Sequence, residues 1–79
     1  MKEPDNSAAV VKQLIAQVLG LSEVDIEMSI HNTIEWDSLS HLKMLDVLES
    51  HFDCLMELDE ISEVQSVGDW VELIHKYTS

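Results

Sequence analysis

The sequence predicts an all-α fold, a small bundle of three main helices plus one short helix. Apolar residues recur at helical spacing in three separated stretches. Residues that favour helix starts and stops bound those stretches. Only two glycines and one proline stand among 79 residues, too few turn formers for an all-β chain. One domain over residues 1–79 is expected, near the small end of what folds without staples.

The chain opens on a polar segment, Met1 to Asn6, expected to fray. Asp5 or Ser7 is placed to cap a first helix ending near Leu19. Val11, Leu14, Ile15 and Val18 fall at i, i+3, i+4 and i+7 and form its apolar stripe. Gly20 follows, a residue suited to ending a helix in the left-handed conformation.

Leu21 to Trp36 holds no sustained period. Val24, Ile26, Met28 and Ile30 alternate with polar residues as a strand would. A lone strand has no partner in so short a chain, so a long loop with its apolar side chains on the core is expected. Loops of this length in small domains are often functional.

A second helix is expected from about Ser38 to His51 or Phe52. Its inner face reads Leu42, Leu45, Leu48 and Phe52, with Met44 on the flank. Leu39 sits at the N-terminal edge. A connector, Asp53 to Met56, leads to a short helical piece between Leu58 and Val64. Ser66 then caps the last helix, and Asp69 stands where a capping box prefers Glu or Gln. Val67, Trp70, Val71, Ile74 and Tyr77 are its stripe.

Charge narrows the function classes. Sixteen acids face four lysines, for a net charge of −12, and no lysine or arginine lies between Met44 and Glu72. Such a surface repels nucleic acid and anionic membrane and attracts basic patches on partner proteins. No apolar run reaches the ~20 residues of a membrane span, and residues 1–6 lack a secretory pattern. Cys54 is the single cysteine. No internal disulfide is possible, and a reducing, cytoplasmic setting is expected. His31, His41, His51 and His75 never share the i, i+4 spacing of paired ligands, so no metal site is expected. His41 and His51 read as surface groups. Cys54, Met28, Met44 and Met56 read as apolar filler.

The chemistry concentrates at Ile34-Glu35-Trp36-Asp37-Ser38-Leu39-Ser40-His41-Leu42. Here the loop ends and the second helix begins. A helix mouth offers free N–H groups and partial positive charge, which suit a phosphate. Three roles compete for Ser38. It is a plain helix cap, a nucleophile with His41 as base and Asp37 nearby, or a point of covalent attachment. The nucleophile reading lacks a Gly-x-Ser-x-Gly elbow and a nearby glycine for an oxyanion hole. Spacing alone does not decide between cap and attachment point.

In its frame, the Asp37-Ser38-Leu39 triplet resembles the attachment motif of acyl carrier proteins. The likeness runs from Leu19-Gly20 through the long loop, the triplet and the helix ending Leu48-Glu49-Ser50-His51-Phe52, to Ser66-Val67. The form Trp36-Asp37-Ser38-Leu39-Ser40-His41-Leu42 is similar to discrete carriers of specialised pathways. Housekeeping fatty-acid carriers usually have Gly before the Asp. The Gly-Gly-x-Ser pattern of peptidyl carriers is absent.

The resemblance implies an acyl-carrier-like fold and a non-catalytic protein. A phosphopantetheinyl transferase would place 4′-phosphopantetheine on Ser38. Asp37 would help that enzyme bind or hold its metal ion, and Leu39 would be an apolar contact for partners. Asp46 and Glu49 would meet basic patches on acyl-loading and acyl-processing enzymes, and Lys43 would place a positive charge in that same docking face. Family members often carry acids where this chain has Ser40 and Lys43, a departure that biases partner choice. A monomer in a polyketide or hybrid peptide pathway is expected. The alternatives are a fatty-acid carrier, an unmodified acidic adaptor, and a small esterase. Trp36 is expected to pack the loop onto the core.

Overall fold

The computed structural model describes residues 6–78, in the order α1 (Asn6–Leu19), α2 (Ser38–Phe52), α3 (Leu58–Ser62) and α4 (Val67–Thr78). This is the expected all-α arrangement of three main helices and one short one. The expectation of a frayed start falls outside the described residues, apart from Asn6, which is already helical. Asp5 also lies outside them. Ser7 lies within the helix, so it is not the cap.

Helix α1 packs against both α4 and α2. Its buried line is Val11, Ile15 and Leu19 with Ala16 beside it, while Leu14 and Val18 are only half-buried. The true stripe is therefore turned slightly from the predicted one, because two neighbouring helices must both be covered. The helix ends as its sequence prescribes. Gly20 adopts φ +73°. Its N–H donates to Gln17 O at 3.3 Å and that of Leu21 donates to Ala16 O at 2.9 Å, the paired bonds of a Schellman ending. Nothing lies within 4 Å of a side chain added at Gly20. Gly20→Ala therefore probes the backbone alone and is expected to destabilise by roughly 1–2 kcal/mol in urea unfolding. A neutral result would show that the left-handed turn is dispensable.

The loop after α1 departs from expectation in two ways. Val24 and Trp36 are buried, but Ile26, Ile30 and Ile34 are exposed, Ile34 at 96%. The loop also finds a hydrogen-bonding partner, the entry to α4. Ser29 and Ser66 form an isolated antiparallel bridge. The N–H of Ile30 donates to Gln65 O at 3.0 Å, that of Val67 to Met28 O at 2.9 Å, and that of Gly68 to Ile26 O at 3.0 Å. Val67 and Gly68 open α4, and first-turn amides have no acceptor inside their own helix. Here loop carbonyls supply it. The next amide, of Asp69, donates to Ser66 Oγ at 3.1 Å, while Asp69 Oδ2 accepts from the N–H of Gln65 at 2.9 Å. The predicted capping box thus forms with its return bond displaced by one residue.

The inner face of α2 is Met44 and Leu48, both fully buried, flanked by half-buried His41, Leu45 and Phe52. Leu42, expected inside, is 58% exposed. The helix is rotated so that His41 takes the place assigned to Leu42. Beyond α2, Asp53 turns at φ 54°, and Glu49 accepts the N–H of Met56 on Oε2 at 2.8 Å. Cys54 is half-buried, and burial, with the Glu49 and Asp53 carboxylates, pushes its thiol up. It stays neutral, in keeping with an apolar filler. Helix α3 is tied to α4 through Glu60, which pairs with Lys76 and accepts from the Tyr77 hydroxyl. Those two contacts, Lys76 first, hold the Glu60 carboxyl below its ordinary value. Trp70 and Ile74 of α4 are fully buried and complete one apolar cluster with Val11, Ile15, Met44 and Leu48.

Candidate functional site

Residues Thr33 to Trp36 form a turn in which the N–H of Trp36 donates to Thr33 O at 3.1 Å. The turn sends the Trp36 side chain into the core, where it is 4% exposed. Burial of the indole anchors the loop next to the start of α2, as expected of Trp36. Ser40 Oγ donates to Glu35 O at 2.9 Å and fixes the same corner.

The cap of α2 is Asp37, not Ser38. Asp37 is extended, at φ −112° and ψ −173°, and its Oδ1 accepts from the N–H of Ser40 at 2.9 Å. Its carbonyl accepts from the N–H of His41 at 2.9 Å. Ser38 is then the first helical residue, exposed to solvent. Leu39, beside it, is 61% exposed. The Ser40 amide is the main cause of a carboxyl pKa at Asp37 below its ordinary 3.8. A value depressed by folding means the bond stabilises the fold above the ordinary value and is lost as pH falls through the folded one. Asp37→Ala is expected to lower the melting temperature by a few degrees at pH 7. The gap between variant and wild type should close in acid below that window. A gap that persists there would mean the carboxylate is not its source.

His41 was expected at the surface and is instead a junction. Trp36 Nε1 donates to His41 Nδ1 at 3.2 Å. An indole nitrogen only donates, so Nδ1 accepts and the ring hydrogen sits on Nε2. That nitrogen faces Ile61 O at 3.2 Å and donates to it. The ring lies 6.1 Å from Trp36 at 24° and 5.1 Å from Trp70 at 38° between planes. One side chain thus joins the loop, α2, α3 and α4. Both of its nitrogens are committed, which leaves neither to take a proton from Ser38. The sequence held a clue, since 41, 44, 45, 48 and 52 also form a helical stripe, but only with a histidine counted among the apolar residues. The acceptor that makes its burial tolerable is a backbone oxygen 20 residues away, which no pattern reveals.

Beside Ser38 lies an open groove of about 560 Å³. Ile30, Trp36, Leu42 and Val64 give it apolar walls, and Asp37, His41 and Ser62 add polar edges. A hydroxyl in solvent at a helix start, next to a partly apolar groove, suits a flexible group attached through a phosphate. The remaining predicted site residues lie further along α2. Lys43 and Asp46 are exposed, while Glu49 is half-buried and holds the connector after α2. No cluster of three metal-ligating side chains occurs among the described residues, and no described helix is long and apolar enough to cross a membrane.

Known proteins resemble this chain in sequence and in fold. Residues 9–74 match the family model described as phosphopantetheine attachment site. The chain is 37% identical over 70 residues to the acyl carrier protein of Clostridium acetobutylicum, covering 86% of this chain and 91% of that one. It is 35% identical over 68 residues to the non-reducing polyketide synthase tazA of Aspergillus terreus, covering 85% of this chain but only 3% of the synthase. The solution structure of the holo acyl carrier protein of Geobacter metallireducens superposes with a TM-score of 0.80 at 27% identity, covering 90% of this chain and 84% of that one. A match across most of the chain to a phosphopantetheine attachment domain, and near full-length similarity to a discrete carrier, place this protein in the acyl carrier protein family.

Proposed function

We propose that Ser38 is the residue that bears 4′-phosphopantetheine and that the chain is one carrier domain acting as a monomer in the cytoplasm. The observation that carries the assignment is the division of labour at the start of α2. Asp37 makes the capping bond, so the exposed Ser38 hydroxyl has no part in it. In the attachment step, Ser38 Oγ bonds to the phosphorus that joins pantetheine to the nucleotide of coenzyme A. The pyrophosphate P–O bond breaks, adenosine 3′,5′-bisphosphate leaves, and the hydroxyl proton passes to a base of the transferase. Once attached, the group supplies a thiol that holds an acyl group as a thioester.

The chain's own residues present that group to other proteins. Leu39 offers an apolar contact, and Asp37 lies beside the modified residue for the transferase. Asp46 faces basic partner surfaces, Lys43 repels them locally, and Glu49 contributes through its carboxylate edge. Nucleic acid and membrane are not partners of so acidic a surface. The pathway is a specialised one, polyketide or hybrid peptide. Similarity to a stretch of a polyketide synthase supports this, as does a positive charge in the docking face. Ordinary fatty-acid synthesis is the second reading, favoured by similarity to a discrete bacterial carrier.

The direct test is incubation with coenzyme A and a broad-specificity transferase, followed by digestion and mass spectrometry. One added phosphopantetheinyl group on the peptide holding Ser38 is expected. A wild-type protein that gains no mass would favour an unmodified adaptor, and a gain at another residue would move the site.

A further inference from the structure

We infer that His41 bars alkyl chains from the seam between α2 and α3, and that the cargo of this carrier is a short or polar acyl group. The inference rests on Ser38 as the attachment point. Of the residues lining the groove beside Ser38, Trp36 and Val64 are buried and His41 is half-buried. Trp70, whose ring lies 5.1 Å from that of His41, and Met44, one turn further along α2, are fully buried. His41 closes the seam from both sides, accepting from Trp36 Nε1 and donating to Ile61 O, each at 3.2 Å.

A chain moving inward must part α2 from α3 at this point. It would break the bond to Ile61 and push the histidine off the two indoles. The Trp36 N–H, the His41 nitrogens and the Ile61 carbonyl would then face hydrocarbon. Methylene groups can neither donate nor accept, so none of these groups regains a partner, and buried polar groups without partners are costly. The open groove outside the seam, with Ser62 among its lining residues, remains available to a short or polar group.

The test loads the protein with the transferase from octanoyl-coenzyme A and, separately, acetyl-coenzyme A. Intact mass checks attachment first. Hydroxylamine cleavage of the thioester and the melting temperature are then compared. In wild type, both thioesters are expected to be cleaved at the same rate and to leave the same melting temperature. In His41→Ala, the octanoyl form should be protected and stabilised relative to the acetyl form. A chain inside for nine-tenths of the time would slow cleavage roughly tenfold, since only the emerged fraction reacts. His41→Val, smaller than histidine and without either hydrogen bond, should behave alike if the alanine variant does not fold.

Slow cleavage or a raised melting temperature for octanoyl wild type overturns the inference. So do folded variants that leave the octanoyl thioester as reactive as in wild type. Failure of wild type to load from either donor is a different result. It removes Ser38 as the attachment point, and this inference with it.

Discussion

Ser38→Ala is expected to take up no 4′-phosphopantetheine while keeping the helical content and stability of wild type. The first half follows from chemistry, because alanine has no oxygen to bond to phosphorus. The second half follows from the position of Ser38. Asp37 supplies the capping bond to the Ser40 amide, so removing the Ser38 hydroxyl breaks no structural contact there. Ser38 is exposed at the first helical position, where alanine is well tolerated. The change in unfolding free energy should lie within about 0.5 kcal/mol. Had Ser38 been the cap, its loss would have cost about 1 kcal/mol. Intact mass after transferase treatment and urea unfolding read the two halves separately. Ser40→Ala is the control, because the Ser40 hydroxyl is turned back onto Glu35 O, and it should still gain mass. A mass gain in Ser38→Ala would end the assignment.

Trp70→Ala is expected to cause the largest loss of stability of any single substitution proposed here, about 3–5 kcal/mol. Trp70 is fully buried and its ring lies 5.1 Å from that of His41. Truncation leaves a void between α4 and α2 and removes a stacking partner from the histidine. A domain of 79 residues has roughly 4–12 kcal/mol in all, so much of the variant is expected to be unfolded. Trp70→Phe separates volume from polarity. The Trp70 Nε1 is buried without a hydrogen-bond partner among the described residues. Phenylalanine removes that stranded donor, which recovers part of the energy lost with the smaller ring. Urea unfolding should therefore rank wild type and phenylalanine close together and alanine far below. An alanine variant within about 1 kcal/mol of wild type would mean that α4 does not hold the bundle together through this residue.

The sequence made the helices legible because each carries its own instructions. Gly20 ends α1 with the two bonds its type suggests, and Ser66 with Asp69 starts α4. The junction before α2 was also legible as a place, since two side chains able to cap stand there in a row. Which of them caps was not, because either fits the rule and only backbone direction selects Asp37. The rotation of α2 was hidden for another reason. Apolar pattern favours Leu42 inside, whereas the fold favours His41, whose nitrogens meet Trp36 and Ile61. Periodicity records the oiliness of a side chain and not the partners awaiting it. The exposed Ile26, Ile30 and Ile34 mislead in the same way.

The bonds from Ile26, Met28 and Ile30 to the head of α4 bear on how a carrier divides its labour. A long irregular segment would ordinarily wander and take the platform at its far end with it. Here backbone bonds tie the segment to the head of α4, and the buried Trp36 indole holds its far end against the core. If partners are reached from Ser38, the reach is then expected to come from the phosphopantetheine arm that the family carries, with the loop at its base tied back to the head of α4.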